Sequence, residues 1–322
     1  PVNLVAHKMA PALAVGAPIV IKPATKTPLG ALLLGELFME TDLPEAMCQV
    51  LPVGGSQAGK MAADDRFAKI SFTGSSEVGW ELRKAAPKKG VTLELGGNAG
   101  VIVHSDADLD KAAQRIAFGG YYQAGQSCIS VQRVLVQDSV ASELTRKLVV
   151  EVEKLKTGDP MDPNTDVGPV INRDALDRVS SWVDEAVQTG AEVLTGGKRE
   201  DPFYLPTVLG RTEASMKVRC EEVFGPVVSI GAYSSFEDAI EEVNETRYGL
   251  QAGVFTSDVQ RLFLAQRDLE VGGVIGNDVS AFRADQMPYG GTKDSGTGRE
   301  GLRWAMDEMS EPKILVLSDV PL

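Results

Sequence analysis

Apolar residues follow two rhythms along this 322-residue chain. Short unbroken apolar runs mark strands buried on both faces, and longer stretches with apolar positions every three or four residues mark amphipathic helices. The first hundred residues predict a helix over 3–15, a strand at 18–22 closed by Pro23, and a helix over 27–40 opened by Thr27 and Pro28. A strand at 47–52, a helix over 56–63, a strand at 69–72, a helix over 75–86 and a strand at 92–95 follow. A second alternating region begins near Asn98, with strands at 101–103, 133–137, 192–194, 227–232 and 252–255. Its helices fall at 109–118, 140–155, 175–189 and 235–243. The glycine-rich stretch 289–301 reads as loop and 313–317 as a lone terminal strand. Short apolar strands alternating with helices predict an α/β fold with parallel strands and helices on both faces. The pair Gly96 and Gly97 is the expected boundary: a dinucleotide-type domain over 1–97, a second α/β domain over 98–302, and a tail over 303–322.

Composition narrows the class. With 43% hydrophobic and 24% charged residues the chain has the ordinary globular mix, which excludes disorder. A formal net charge of -13 argues against nucleic acid or an anionic membrane as partner, since both need a basic face. Runs such as 101–103 and 314–317 are far too short to span a bilayer, and Pro1 opens directly into an amphipathic pattern with no secretory leader. Cys48, Cys128 and Cys220 are an odd number at irregular spacing, so they form no disulfide framework, and with only His7 and His104 they build no familiar metal site. The expected setting is the reducing cytoplasm.

Three short segments are candidates for chemistry. Cys128 lies in Gly-Gln-Ser-Cys-Ile-Ser, a small polar turn between a helix and a strand. Exposure and nearby backbone N–H groups there favour a reactive thiolate, whereas a lone cysteine is more commonly an inert core residue. Glu94 ends an apolar strand in Leu-Glu-Leu-Gly-Gly. Ligands gather at the carboxyl ends of parallel strands, so Glu94 reads either as a general base or as an ordinary strand-end carboxylate. Phe72-Thr73-Gly74-Ser75 closes a strand and opens a helix, a place where a pyrophosphate or merely a capped turn is found. The stretch from Gly54 to Gly59 is glycine-rich but lacks the spacing of the dinucleotide fingerprint.

Taken in order, six separated motifs resemble the aldehyde dehydrogenase superfamily. They are Lys22-Pro23, Phe72 to Ser75, Glu94 to Gly97, Gly125 to Cys128, Glu222-Val223-Phe224-Gly225-Pro226, and Tyr289-Gly290-Gly291 through Gly298-Arg299-Glu300. The resemblance covers essentially the whole chain, and Gly-Gln-Ser-Cys-Ile-Ser followed by Val-Gln-Arg resembles branches that oxidise lactaldehyde, succinic semialdehyde or similar small aldehydes. It implies a Rossmann-like cofactor domain, incomplete at its N-terminus, and a catalytic α/β domain. It implies oxidation of a small aldehyde to a carboxylic acid: Cys128 as nucleophile, hydride transfer to NAD or NADP, and Glu94 activating water against a cysteine thioester. Members that release an acyl-CoA usually lack this glutamate, and acyl-phosphate reductases are disfavoured by it as well. By the same likeness Lys22 reaches the adenosine ribose. Gly54, Thr73, Gly74, Ser75, Val78 and Leu95 join the cofactor site, and Glu222 with Phe224 holds the nicotinamide ribose. Lys8 and Glu300 match a proton relay, with structural support as the equal alternative. Tyr289, Ser127 and Ile129 match the substrate pocket. Thr25 stands where NAD-preferring relatives often carry a glutamate that repels a 2′-phosphate, so both cofactors remain open.

The resemblance also implies what is outside this sequence. Pro1 matches the proline just after the catalytic asparagine, so Asn3 is not that residue. Losing one oxyanion donor costs ~100-fold or more in rate, and losing partner strands uncovers apolar edges. This polypeptide alone is therefore expected to be weakly active or inactive, and the rival reading is a catalytically silent domain that binds cofactor or partner. The parent is expected to be a homodimer or homotetramer through the strand at 313–317.

Overall fold

The computed structural model describes residues 2–319, so Pro1 and the comparison built on it lie outside the described residues. The chain divides into two compact units. One comprises Pro1–Glu94, Ala284–Tyr289 and Thr297–Leu322; the other comprises Leu95–Arg283 and Gly290–Gly296. The first break falls three residues before the expected one. The later chain then departs from the expected division, because 284–289 and 297–302 group with the first unit instead of the second.

The second unit is built on a seven-stranded sheet. Its order is Gly273–Gly276, Gln251–Phe255, Ala99–Val103, Val131–Gln137, Val227–Tyr233, Thr207–Gly210 and Glu192–Thr195. Every neighbouring pair is parallel except the last. The central strands read as continuous apolar runs because both faces are covered. Val101, Val103, Val134 and Val136 pack with Ile116, Leu144 and Leu148 of the helices Leu109–Tyr121 and Ala141–Glu153. The alternate residues Ile102 and Leu135 pack with Phe236, Ile240 and Ala265 of the helices Phe236–Asn244 and Val259–Asp268. The period-two alternation of strand side chains sends these neighbours to opposite faces. A third core joins Leu176, Val179 and Val183 of the helix Arg173–Gln188 to Val218, Val223 and Val227.

The first unit holds two parallel pairs. Ile19–Ile21 lies beside Cys48–Val50, and Lys69–Thr73 lies beside Gly90–Glu94 with Thr73 opposite Glu94. The helices Gly55–Ala63 and Ser76–Ala85 follow the second and third of these strands. Their cap residues, Gly54 and Ser75, make no side-chain capping bond. In the second unit Asp108, Asn172, Ser235 and Asp258 all cap their helices through side chains.

Some expectations are corrected. No strand forms at 313–317; Ile314, Leu315, Val316 and Leu317 are 62–86% exposed. A strand exists only when its backbone groups find a partner, and none is present among the described residues. The stretch 289–301 is not all loop: it contains the short strands Thr292–Lys293 and Gly296–Thr297, and Tyr289 bridges Glu300. The helix Leu302–Glu308 lies where the tail was expected to begin.

Candidate active site

In the second unit three sequence motifs interlock around Cys128. The helix Leu109–Tyr121 ends in a tight turn in which Gln123 and Ala124 adopt positive φ, and Gly125 has φ +68. A Cβ on Gly125 would stand 2.1 Å from the carbonyl oxygen of Gly225, so the Gly-Gln-Ser-Cys turn and the Glu-Val-Phe-Gly-Pro turn touch backbone to backbone. Gly97 is equally constrained: its Cβ would lie 2.1 Å from the Cys128 carbonyl oxygen. Gly96 borders Glu222, whose carboxylate would meet a Cβ there at 2.4 Å and which accepts the Gly97 N–H at 2.8 Å. Ser295, wholly buried, donates its hydroxyl to the Gly96 carbonyl at 2.6 Å, and its own carbonyl accepts the Leu95 N–H at 2.9 Å. The segment carrying the two glycines is thus held against both Cys128 and Glu222 within one unit.

Cys128 is half-buried, unlike the buried Cys48, and none of the three cysteines is in a disulfide. Burial pushes the Cys48 thiol up, and burial followed by the charge of Glu221 does the same at Cys220. Neither is suited to act as a thiolate near neutral pH. Cys220 is half-buried, with its sulfur directed at the Ser215 carbonyl at 3.8 Å.

Tyr122 is a neighbour the sequence reading missed. Its phenol donates to the Ser127 hydroxyl at 2.5 Å, and its ring stacks on Phe118, centroids 5.5 Å apart. Burial raises the Tyr122 pKa and the charge of Cys128 adds to the rise, while the bond to Ser127 opposes it. The phenol therefore stays protonated as a donor to Ser127. The i, i+4 aromatic pair at the end of a helix was the available signal. Ile129 is buried, its carbonyl taking a hydroxyl bond from Ser280 at 2.9 Å. Phe224 is exposed and left-handed at φ 48.

The first unit carries the remaining candidates. Glu94 closes the strand Gly90–Glu94 and is only 3% exposed, with Leu95 following it as a buried residue. The Glu94 carbonyl accepts the Gly74 N–H at 3.2 Å. Gly74, Ser75 and Val78 are exposed at the start of the helix Ser76–Ala85. Lys22 is half-buried and donates to the Pro23 carbonyl at 2.5 Å; Thr25 and Gly54 are exposed. Lys8 donates to Glu300 at 2.5 Å and to the Thr73 hydroxyl at 2.7 Å. The expected relay pair is therefore in contact, with Thr73 as its third member. Glu300 is 2% exposed, and His7 approaches it at 4.0 Å while reaching Asp285 at 3.3 Å. Tyr289 is buried at 3% exposure. No cluster of metal ligands and no helix long and apolar enough to cross a membrane occurs among the described residues.

One unit holds a half-buried cysteine in a glycine turn together with the Glu222 carboxylate, and the other, taken by itself, has two helix starts without side-chain caps. A thiol in such a turn can act as a nucleophile, and helix starts can meet phosphates. The model of the aldehyde dehydrogenase family matches residues 1–315, and the chain belongs to that family. It is 48% identical over 319 residues to a 3-sulfolactaldehyde dehydrogenase of Priestia aryabhattai, covering 99% of this chain and 67% of that protein. An aldehyde dehydrogenase 21 from Physcomitrella patens, in complex with its reaction product succinate, superposes with TM-score 0.97 at 48% identity, covering 99% of this chain and 67% of that one. A glyceraldehyde-3-phosphate dehydrogenase from Methanocaldococcus jannaschii, complexed with NADP, superposes with TM-score 0.93 at 39% identity, covering 97% and 69%. The chain spans about two thirds of the length of these relatives. The reaction class is oxidation of an aldehyde to a carboxylic acid with NAD or NADP as cofactor.

One consequence is directly measurable. Gly97→Ala is expected to lower stability by about 1–3 kcal/mol or more, because the added methyl meets backbone that cannot retreat. Gly59→Ala, with nothing within 4 Å of its Cβ in the helix Gly55–Ala63, is expected to be neutral or stabilising by ~0.5–1 kcal/mol. Denaturant unfolding of both variants checks the contrast, and equal midpoints would contradict it.

Proposed function

We propose that the protein carrying this chain is a hydrolytic aldehyde dehydrogenase in which Cys128 is the nucleophile and Glu94 the general base. The observation that carries this reading is the interlock of Gly97 on Cys128, Gly125 on Gly225 and the Gly97 N–H on Glu222. Cys128, as a thiolate, attacks the aldehyde carbon, and the carbonyl oxygen becomes an oxyanion. A nicotinamide dinucleotide, held by the residues named below, would supply the acceptor for the hydride that leaves that carbon, and the product left on Cys128 is a thioester. Glu94 takes a proton from water, which attacks the thioester; the C–S bond breaks, the carboxylic acid leaves, and Cys128 is free again. Lys8 and Glu300 carry the proton onward. Glu222 accepts the hydroxyls of the nicotinamide ribose, with Phe224 beside it. Lys22, Thr25, Gly54, Thr73, Gly74, Ser75, Val78 and Leu95 hold the rest of the dinucleotide, and the uncapped starts after Gly54 and Ser75 supply N–H donors to its phosphates. Ser127, Ile129 and Tyr289 shape the substrate pocket.

The substrate is a small aldehyde with an anionic far end. The names and ligands of the relatives support this: a sulfonate in one, a dicarboxylate product in the second and a phosphate in the third. The protein works in the cytoplasm, where cysteines outside disulfides persist, as a homodimer or homotetramer that covers the exposed apolar run Ile314 to Leu317. A screen of kcat/KM over 3-sulfolactaldehyde, succinic semialdehyde, lactaldehyde and a cationic or long-chain alkyl aldehyde, each with NAD and NADP, tests the proposal. Anionic aldehydes should lead by roughly tenfold or more, the scale of one charge-assisted contact. A cationic or long-chain aldehyde in first place would refute the substrate class.

A further inference from the structure

Two buried side-chain amides grip the backbone on either side of Glu222. Gln132 is 6% exposed and lies in the central strand Val131–Gln137; Asn98 is 3% exposed and precedes the strand Ala99–Val103. Gln132 donates through Nε2 to the Glu221 carbonyl at 2.6 Å and to the Val218 carbonyl at 3.1 Å. Its Oε1 accepts the Val223 N–H at 3.0 Å. Asn98 donates through Nδ2 to the same Glu221 carbonyl at 3.0 Å and to the Arg219 carbonyl at 2.8 Å. The peptide group entering Glu222 therefore takes two amide donors, and the peptide group leaving it gives its N–H to a third bond. Arg178 adds a donor to the Val223 carbonyl at 2.9 Å.

Both amides are themselves anchored to the sheet. The Gln132 carbonyl accepts the Ser229 hydroxyl at 3.1 Å, and the Asn98 carbonyl accepts an Arg133 N–H at 3.1 Å. Burying an amide is unfavourable unless its bonding groups are satisfied. Asn98 nevertheless leaves its own buried Oδ1 without a hydrogen-bond partner among the described residues. Its burial is thus explained by what its Nδ2 holds and not by its own satisfaction.

We propose that Gln132, seconded by Asn98, is a positioning residue for Glu222. It fixes the direction of the carboxylate toward the nicotinamide ribose before the cofactor arrives, so that little ordering remains to be done on binding. Gln132 follows Cys128 by four residues, so one short segment sets the place of both the nucleophile and the cofactor carboxylate. The inference rests on the reading of Glu222 given above.

The test compares Gln132→Met, Gln132→Asn, Glu222→Gln and the double variant Gln132→Met/Glu222→Gln in the intact protein. Methionine keeps the volume and removes every donor, whereas asparagine keeps the amide and shortens its reach. Gln132→Met should raise the cofactor KM roughly tenfold, with the KM for aldehyde moving by less than about threefold. Gln132→Asn should fall between it and the parent, and it carries the comparison if the methionine variant does not fold. In the Glu222→Gln background the same change should add less than about twofold, because its route to the cofactor is already cut. An unchanged cofactor KM in both Gln132 variants, or equal effects in both backgrounds, overturns the inference. An unchanged cofactor KM in Glu222→Gln instead sinks the reading of Glu222, and the Gln132 inference with it.

Discussion

Cys128→Ala is expected to abolish aldehyde oxidation, with a loss of roughly 10⁴-fold or more in kcat, the scale seen when a covalent nucleophile is removed. The turn that carries Cys128 is fixed by backbone, since Gly125 touches Gly225 and Gly97 touches the Cys128 carbonyl. A smaller side chain therefore leaves the fold in place, and the loss falls on chemistry. Cofactor binding should survive, because the Gly97 N–H, Gln132 and Asn98 hold Glu222 and its flanking backbone. Steady-state turnover together with NAD and NADP titration of the variant checks both halves. Residual turnover within about tenfold of the parent would rule out Cys128 as the nucleophile. The other cysteines give a built-in control: Cys48→Ala and Cys220→Ala remove thiols that burial disfavours as thiolates, and each should keep most of the activity.

Glu94→Gln is expected to separate the two half-reactions. The thioester step needs Cys128 and the bound cofactor, while its hydrolysis needs a base for water. The variant should give a burst of one reduced cofactor per active site, followed by turnover slowed about 10²–10⁴-fold, the usual contribution of a general base. Mass spectrometry of the quenched protein should find the acyl group on Cys128. The substitution is close to isosteric, and Glu94 is 3% exposed at the end of its strand, so the fold should tolerate it. Loss of the burst would assign Glu94 to an earlier step; unchanged turnover would remove it from the mechanism. Comparing Glu94→Gln with Lys8→Met then distinguishes the base from the relay, because Lys8 touches Glu300 and Thr73 and should slow hydrolysis less.

Much of this was legible in the chain itself. The central strands announce themselves as apolar runs because both of their faces are buried, as Val101 and Ile102 show by packing on opposite sides. Cys128, Glu94 and Glu222 stand out in the sequence only as members of a set of ordered motifs, and their roles rest on the proposed function. What the sequence concealed is long-range contact. Gln132 is a polar residue in a strand, a visible anomaly, yet its partners lie near residue 221 and no local pattern points there. Ser295 sits in a glycine-rich stretch that reads as loop, and its hold on Gly96 spans 199 residues. The run at 313–317 failed for the complementary reason: β-propensity gives a segment the capacity to pair, and the partner decides whether a strand forms.

The contact between Gly125 and Gly225 also bears on how this family can diversify. A Cβ on Gly125 would strike the Gly225 carbonyl, so a change of backbone in one turn bears on the other even though a hundred residues separate them. A chimera that imports the cysteine turn from a distant relative while keeping its own 222–226 segment should lose solubility before it loses chemistry. Importing both segments together should restore it. Recombination breakpoints placed between the two turns would then be depleted among functional hybrids, while breakpoints outside the pair would be permitted.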